Sequence, residues 1–147
     1  MVMSYGRNPE ESRWFKSWYD RVIKPAVELA GYVAVLPPAE EMLQGITNKA
    51  LTHLMSDPMV IVDLGGVTPD ADLDPTVMYE LGIRHALGLS LVMMAWKGQR
   101  LPFDGGKLGI IMEGRAPIDL ADNRTRLRKF IQAAASGQFD RPMDAIG

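Results

Sequence analysis

The sequence predicts an α/β domain, a three-layer arrangement with a central, mostly parallel five-stranded sheet. Three observations predict it. Runs of buried-strand type, Tyr32–Leu36, Met59–Leu64 and Ser90–Ala95, alternate with amphipathic helical runs. Gly31, Pro37-Pro38 and Gly88 punctuate the junctions. The 147 residues suffice for one core, so residues 1–147 are read as a single domain. Alternating strands and helices imply parallel strands covered on both faces. For five strands the expected order is 2-1-3-4-5, with the switch point between strands one and three.

The elements follow in order. Met1–Tyr5 is short and apolar and reads as the first strand, closed by Gly6. Asn8-Pro9-Glu10-Glu11 has a capping residue, proline at the first helical position and acids in the first turn. Trp14, Phe15, Trp18, Val22, Ile23, Ala26 and Leu29 then recur at helical spacing to about Ala30, with a kink expected at Pro25. Tyr32–Leu36 is the second strand and 40–55 the second helix. Met59–Leu64 is the third strand, and a loop rich in glycine, proline and aspartate runs to Asp74. Pro75–Leu87 is a helix closed by Gly88, and Ser90–Ala95 the fourth strand. Leu108–Met112 is the last strand and Leu120–Ala135 the last helix. No obvious helix joins strands four and five, so strand five is also compatible with an antiparallel placement.

Composition excludes several classes of function. Hydrophobic residues make up 47% and charged residues 23%, and 16 basic against 18 acidic side chains leave a net charge of -2. Such a balance does not suit a nucleic-acid backbone or an anionic membrane as partner. The absence of cysteine removes disulfides, thiolate nucleophiles and cysteine-ligated zinc. No apolar run reaches the length of a membrane span, and the amino terminus has no leader pattern, so a cytoplasmic protein is expected.

Ligands of open α/β sheets bind beyond the carboxyl ends of the strands. Strand one delivers Ser4, Tyr5 and Gly6 there, and strand three delivers Asp63, Gly65 and Gly66. The two glycines allow close approach of backbone amides to a small polar ligand. The helix from Pro75 carries Glu80 within its first two turns. Two readings of Glu80 stand side by side: a solvated residue that favours the helix dipole, or a carboxylate facing the cleft. Asp63 is likewise a turn former or a site acid. Asp70, Asp72 and Asp74 lack the glycine and late glutamate of a calcium loop and read as solvated. His53 and His85 have no partners at metal-ligand spacing, so neither a metal nor a cofactor is expected. Trp14 and Trp18, four apart, belong to the core or to a subunit interface.

Asp63-Leu64, then the run Asp74-Pro75-Thr76-Val77-Met78-Tyr79-Glu80-Leu81-Gly82-Ile83-Arg84-His85-Ala86-Leu87-Gly88, then Leu101-Pro102-Phe103-Asp104, resembles the nucleoside 2-deoxyribosyltransferase-like family. The likeness extends to Ile23-Lys24-Pro25-Ala26 and Gly31-Tyr32-Val33. It implies a flavodoxin-like fold. It also implies that Glu80 is the nucleophile on the anomeric carbon of a nucleoside or nucleotide, with Asp63 near the base or sugar. Thr76 and Val77 stand where the transferases place sugar-contacting residues, and Asp74-Pro75-Thr76 replaces the usual asparagine-proline-asparagine. A homo-oligomer is expected, since family members often complete their sites across a subunit boundary, and Trp14, Trp18 and the methionines offer apolar contact. Two other functions remain beside this one. Toll/interleukin-receptor-like domains that cleave NAD also carry a glutamate on this helix, and a non-catalytic nucleotide-binding module would keep the fold alone.

Overall fold

The structure, a computed structural model, describes residues 2–3, 9–36, 47–65, 72–102, 110–112, 117–139 and 141–145. Among these residues four strands form one sheet: β1 (Val2–Met3), β2 (Val60–Asp63), β3 (Leu91–Trp96) and β4 (Ile110–Met112). They lie in the order β1-β2-β3-β4 and every neighbouring pair is parallel. Ile61 stands between Val2 and Val92 in register, and Met94 pairs with both Asp63 and Ile110. All positions of β2 and β3 are buried, as expected of central parallel strands.

The expected five-stranded sheet of order 2-1-3-4-5 is therefore corrected, and with it the flavodoxin-like topology expected of the fold class. The chain is a mixed α/β fold with four parallel strands among the described residues. Tyr32–Leu36 forms no regular secondary structure and belongs to no ladder. Its side chains do alternate. Tyr32, Ala34 and Leu36 pack against the core, while Val33 is 87% exposed. Apolar alternation specifies which side chains turn inward, and packing alone satisfies it. A ladder also needs a partner strand of matching length, and Pro37-Pro38 next in sequence have no amide to donate. The last strand is parallel to β3, which rules out its antiparallel placement.

The first helical stretch contains three pieces. Helix α1 (Pro9–Trp18) passes through a π-helical turn at Tyr19–Ile23 into α2 (Lys24–Leu29). The wider turn is where the expected kink went. Pro25 has no amide and its ring crowds the carbonyl four residues back. The Lys24 amide reaches five residues back, to the Tyr19 carbonyl, and the helix continues. Helix α3 (Asn48–Ser56) is capped by Thr47, whose hydroxyl accepts the Ala50 amide at 3.1 Å. The earlier part of the expected second helix lies outside the described residues. Helix α4 (Pro75–Leu87) has the expected bounds, and α5 (Pro117–Ala135) begins three residues before the expected start. A short 3-10 turn at Pro142–Ala145 follows.

The sheet separates two apolar clusters. Ile61, Val92, Met94 and Trp96 meet Phe15, Trp18, Val22, Ile23 and Ala26 with Leu127 and Ile131 of α5. Val60, Val62, Leu91 and Met93 on the other face meet Leu54 of α3 and Val77 and Leu81 of α4. Each fully buried side chain of this size stabilises the fold by roughly 1.5–3 kcal/mol. Trp18 is 4% exposed and Trp14 packs against the same cluster, so this pair contributes to the core. No helix among the described residues is long and apolar enough to cross a membrane.

Candidate functional site

Helix α4 is built by local signals at both ends. The Asp74 carboxylate accepts the Thr76 amide at 2.8 Å, Pro75 occupies the first helical position, and Gly88 closes the helix at a φ of 64°. Val77, Leu81 and Arg84 form its buried stripe at spacings of four and three. Glu80 stands beside that stripe and is half-buried. Burial first, and the Asp74 carboxylate second, push its pKa from the ordinary 4.5 up to about 7. A carboxyl poised near neutrality exists in both charge states under ordinary conditions. It can hold a proton for a leaving group or act as a carboxylate towards an electrophile.

Asp63 ends β2 and is fully buried. Its carboxylate accepts the Gly65 amide at 2.9 Å, closing an Asx turn. Leu64 between them continues the ladder, its amide donating to the Met94 carbonyl at 2.8 Å. The next contact was not legible in the sequence. The Gln99 side-chain amide donates to the Leu64 carbonyl at 2.7 Å and accepts from the Trp96 amide at 3.0 Å. One side chain thus closes the ends of two neighbouring strands.

Glu80 and Asp63 are delivered by consecutive elements, α4 and β2, but the charge that acts on Glu80 is that of Asp74. Asp74 is therefore more than the solvated loop residue that its sequence context suggests. It caps the helix and tunes the carboxyl. Thr76 lies one turn before Glu80 on the same side of α4. With Leu51, Pro75 and the 64%-exposed Tyr79 it lines an open depression of about 450 Å³. Val77 is 2% exposed and packs in the core with Leu54, Val62 and Leu81, so its side chain serves packing. Ser4, Tyr5, Gly6 and Gly66 lie outside the described residues, as does most of the loop between β2 and α4.

Two further polar clusters stand at the amino-terminal end of the sheet. Arg84, 1% exposed, donates to the carbonyls of Leu54 at 2.6 Å, Asp57 at 2.7 Å and Ser90 at 2.9 Å. It ties α4 to the end of α3 and to the start of β3. The His53 ring nitrogen Nδ1 lies 2.9 Å from both Asp57 carboxylate oxygens, a pair at helical spacing of four. Burial raises the Asp57 carboxyl, but hydrogen bonding and positive charge, those of His53 included, outweigh it and hold the carboxyl below its ordinary range. Among the described residues no three histidine, aspartate or glutamate side chains are grouped to hold a metal ion.

No protein-family model matches this chain, and no curated protein does.

Proposed function

We propose that the protein cleaves or transfers at the N-glycosidic bond of a nucleoside or nucleotide, with Glu80 as the nucleophile. The observation that carries this reading is the half-buried Glu80 near the start of α4, pushed up to about 7. Perturbed carboxyls of this kind concentrate at chemical sites. The motif around it, Asp74 to Gly88, supports the same role by resemblance.

The chemistry is balanced with one carboxylate. The Glu80 oxygen bonds to the anomeric carbon as the bond from that carbon to the base nitrogen breaks, and the electron pair of that bond leaves with the base. The base takes a proton, which makes it a better leaving group. Asp63 or a polar group of the adjoining loop positions that proton. Water, or a second base, then attacks the anomeric carbon and releases Glu80, and the proton that the attacking group loses goes to the group that gave one to the leaving base. Water gives hydrolysis and a second base gives transfer. The positive charge that builds on the sugar during the first step favours the ionised form of Glu80, which offsets its raised pKa in the transition state. The reading includes a homo-oligomer in the cytoplasm, where nucleotides are held, and needs neither metal nor cofactor.

The test is incubation of purified protein with nucleosides, nucleoside monophosphates and NAD, with free base followed by chromatography. Base release from the first two supports the proposal. Release of nicotinamide alone transfers the site to NAD cleavage, and no release from any of them leaves a binding module.

A further inference from the structure

Gln99 occupies an unusual position at the carboxyl end of the sheet. The chain leaves β3 at Trp96 and turns back through Lys97 and Gly98, where a φ of 76° suits glycine. The turn is closed by the Gln99 amide, which donates to the Trp96 carbonyl at 3.1 Å. The side chain then returns to the same residue, its Oε1 accepting the Trp96 amide at 3.0 Å. Trp96 is gripped through both of its backbone groups. The remaining end of the side chain, Nε2, donates to the Leu64 carbonyl at 2.7 Å. Leu64 has its own amide bonded to Met94. Its peptide units are therefore fixed on both sides, directly between Asp63 and Gly65.

We propose that Gln99 is a positioning residue of the glycosidic-bond site, holding the Leu64–Gly65 backbone so that Asp63 meets the leaving base. The proposal rests on the role given to Asp63 above. Chemistry favours glutamine at this position. The side chain must accept at one atom and donate at the other, with a reach that spans two strand ends. Glutamate keeps the acceptor and loses the donor. Methionine keeps the length and loses both. Asparagine has the right groups and is one methylene short.

The effect passes to Asp63 through a short path. The Gly65 amide donates to the Asp63 carboxylate at 2.9 Å, so the direction of the Leu64 carbonyl and the orientation of the Asp63 side chain are set together. A Leu64 carbonyl released from Gln99 is free to rotate its peptide unit, and the Asx turn loosens with it. Glu80, on α4, does not share this path. Loss of Gln99 is therefore expected to slow departure of the base, with substrate binding left nearly intact.

The experiment uses Gln99→Met and Gln99→Glu, each alone and with Asp63→Asn, and reads amide exchange and kinetics together. Exchange of the Gly65 amide is expected to rise on the order of 10-fold while amides within β3, such as Met93, keep their protection. kcat per folded molecule is expected to fall about 10-fold with KM changed by less than about threefold, and the fall is expected to vanish in the Asp63→Asn background. A purely structural Gln99 would lower the folded fraction, and with it the rate per total protein, equally with and without Asp63. An unchanged Gly65 exchange, or the same kcat penalty with and without Asp63, overturns the proposal. If the Gln99→Met protein fails to fold, Gln99→Glu carries the test, since it retains the Trp96 contact. Wild-type protein that releases no base overturns the glycosidic reading and the role of Gln99 within it. The Gly65 exchange distinguishes that outcome from a Gln99 that holds nothing.

Discussion

Glu80 lies in the field of Asp74: burial, and then the charge of the Asp74 carboxylate, push Glu80 up to about 7 while the same Asp74 caps the helix that carries it. Helix capping and tuning of the candidate nucleophile thus share one side chain. Asparagine at this position would cap without the charge.

Asp74→Asn separates those two jobs. Asparagine caps about as well as aspartate, so stability is expected to change by only a few tenths of a kcal/mol. Removal of the negative charge favours ionised Glu80, so its pKa is expected to fall, remaining above 4.5 because burial persists. Titration of the Glu80 carboxyl carbon by NMR measures this. A pKa that does not move would assign the whole shift to burial.

Glu80 also links stability to pH. Its folded-state pKa lies above the unfolded value, so between 4.5 and about 7 the native state binds the proton more tightly. The contribution is fully present below 4.5 and is lost as pH rises through 7. Glu80→Gln removes the titration. After allowance for solvent screening it is expected to be more stable than the parent by on the order of 1–2 kcal/mol at pH 8, and by far less at pH 4. Urea unfolding at the two pH values measures the difference. Equal effects at both would contradict the linkage.

Arg84 is expected to be costly to remove. Arg84→Met leaves buried carbonyls of Leu54, Asp57 and Ser90 without their donor, and a loss of roughly 3 kcal/mol follows. Denaturant unfolding should show it as a lower midpoint with an unchanged slope.

Gly88 tests backbone conformation alone. A Cβ built there meets nothing within 4 Å, so the cost of Gly88→Ala comes from the φ of 64°. It is expected to be about 1 kcal/mol, and less for Gly88→Asn, by thermal or urea unfolding.

The parts legible in the sequence were those fixed by near neighbours. The bounds of α4 follow from Asp74, Pro75 and Gly88, and β2 and β3 from unbroken apolar runs. Tyr32–Leu36 misled because its alternation reports burial of side chains, whereas pairing depends on a partner strand distant in sequence. Pro25 signalled a disturbance but not that a π-helical turn would absorb it. The placement of Glu80 beside the buried stripe was within reach of spacing arguments. The coupling of Asp74 to Glu80 and the bridge from Gln99 to Leu64 were not, because each joins groups that only the folded chain brings together.

The central claim is that Glu80 forms the bond to sugar. The most direct measurement is rapid acid quenching of enzyme with a substrate that releases base, followed by peptide mass analysis of wild type and Glu80→Gln. The account predicts a sugar adduct on the Glu80 peptide of the wild type, none on the variant, and turnover lowered on the order of 10³-fold or more in Glu80→Gln. A Glu80→Gln protein that releases base at the wild-type rate would contradict it.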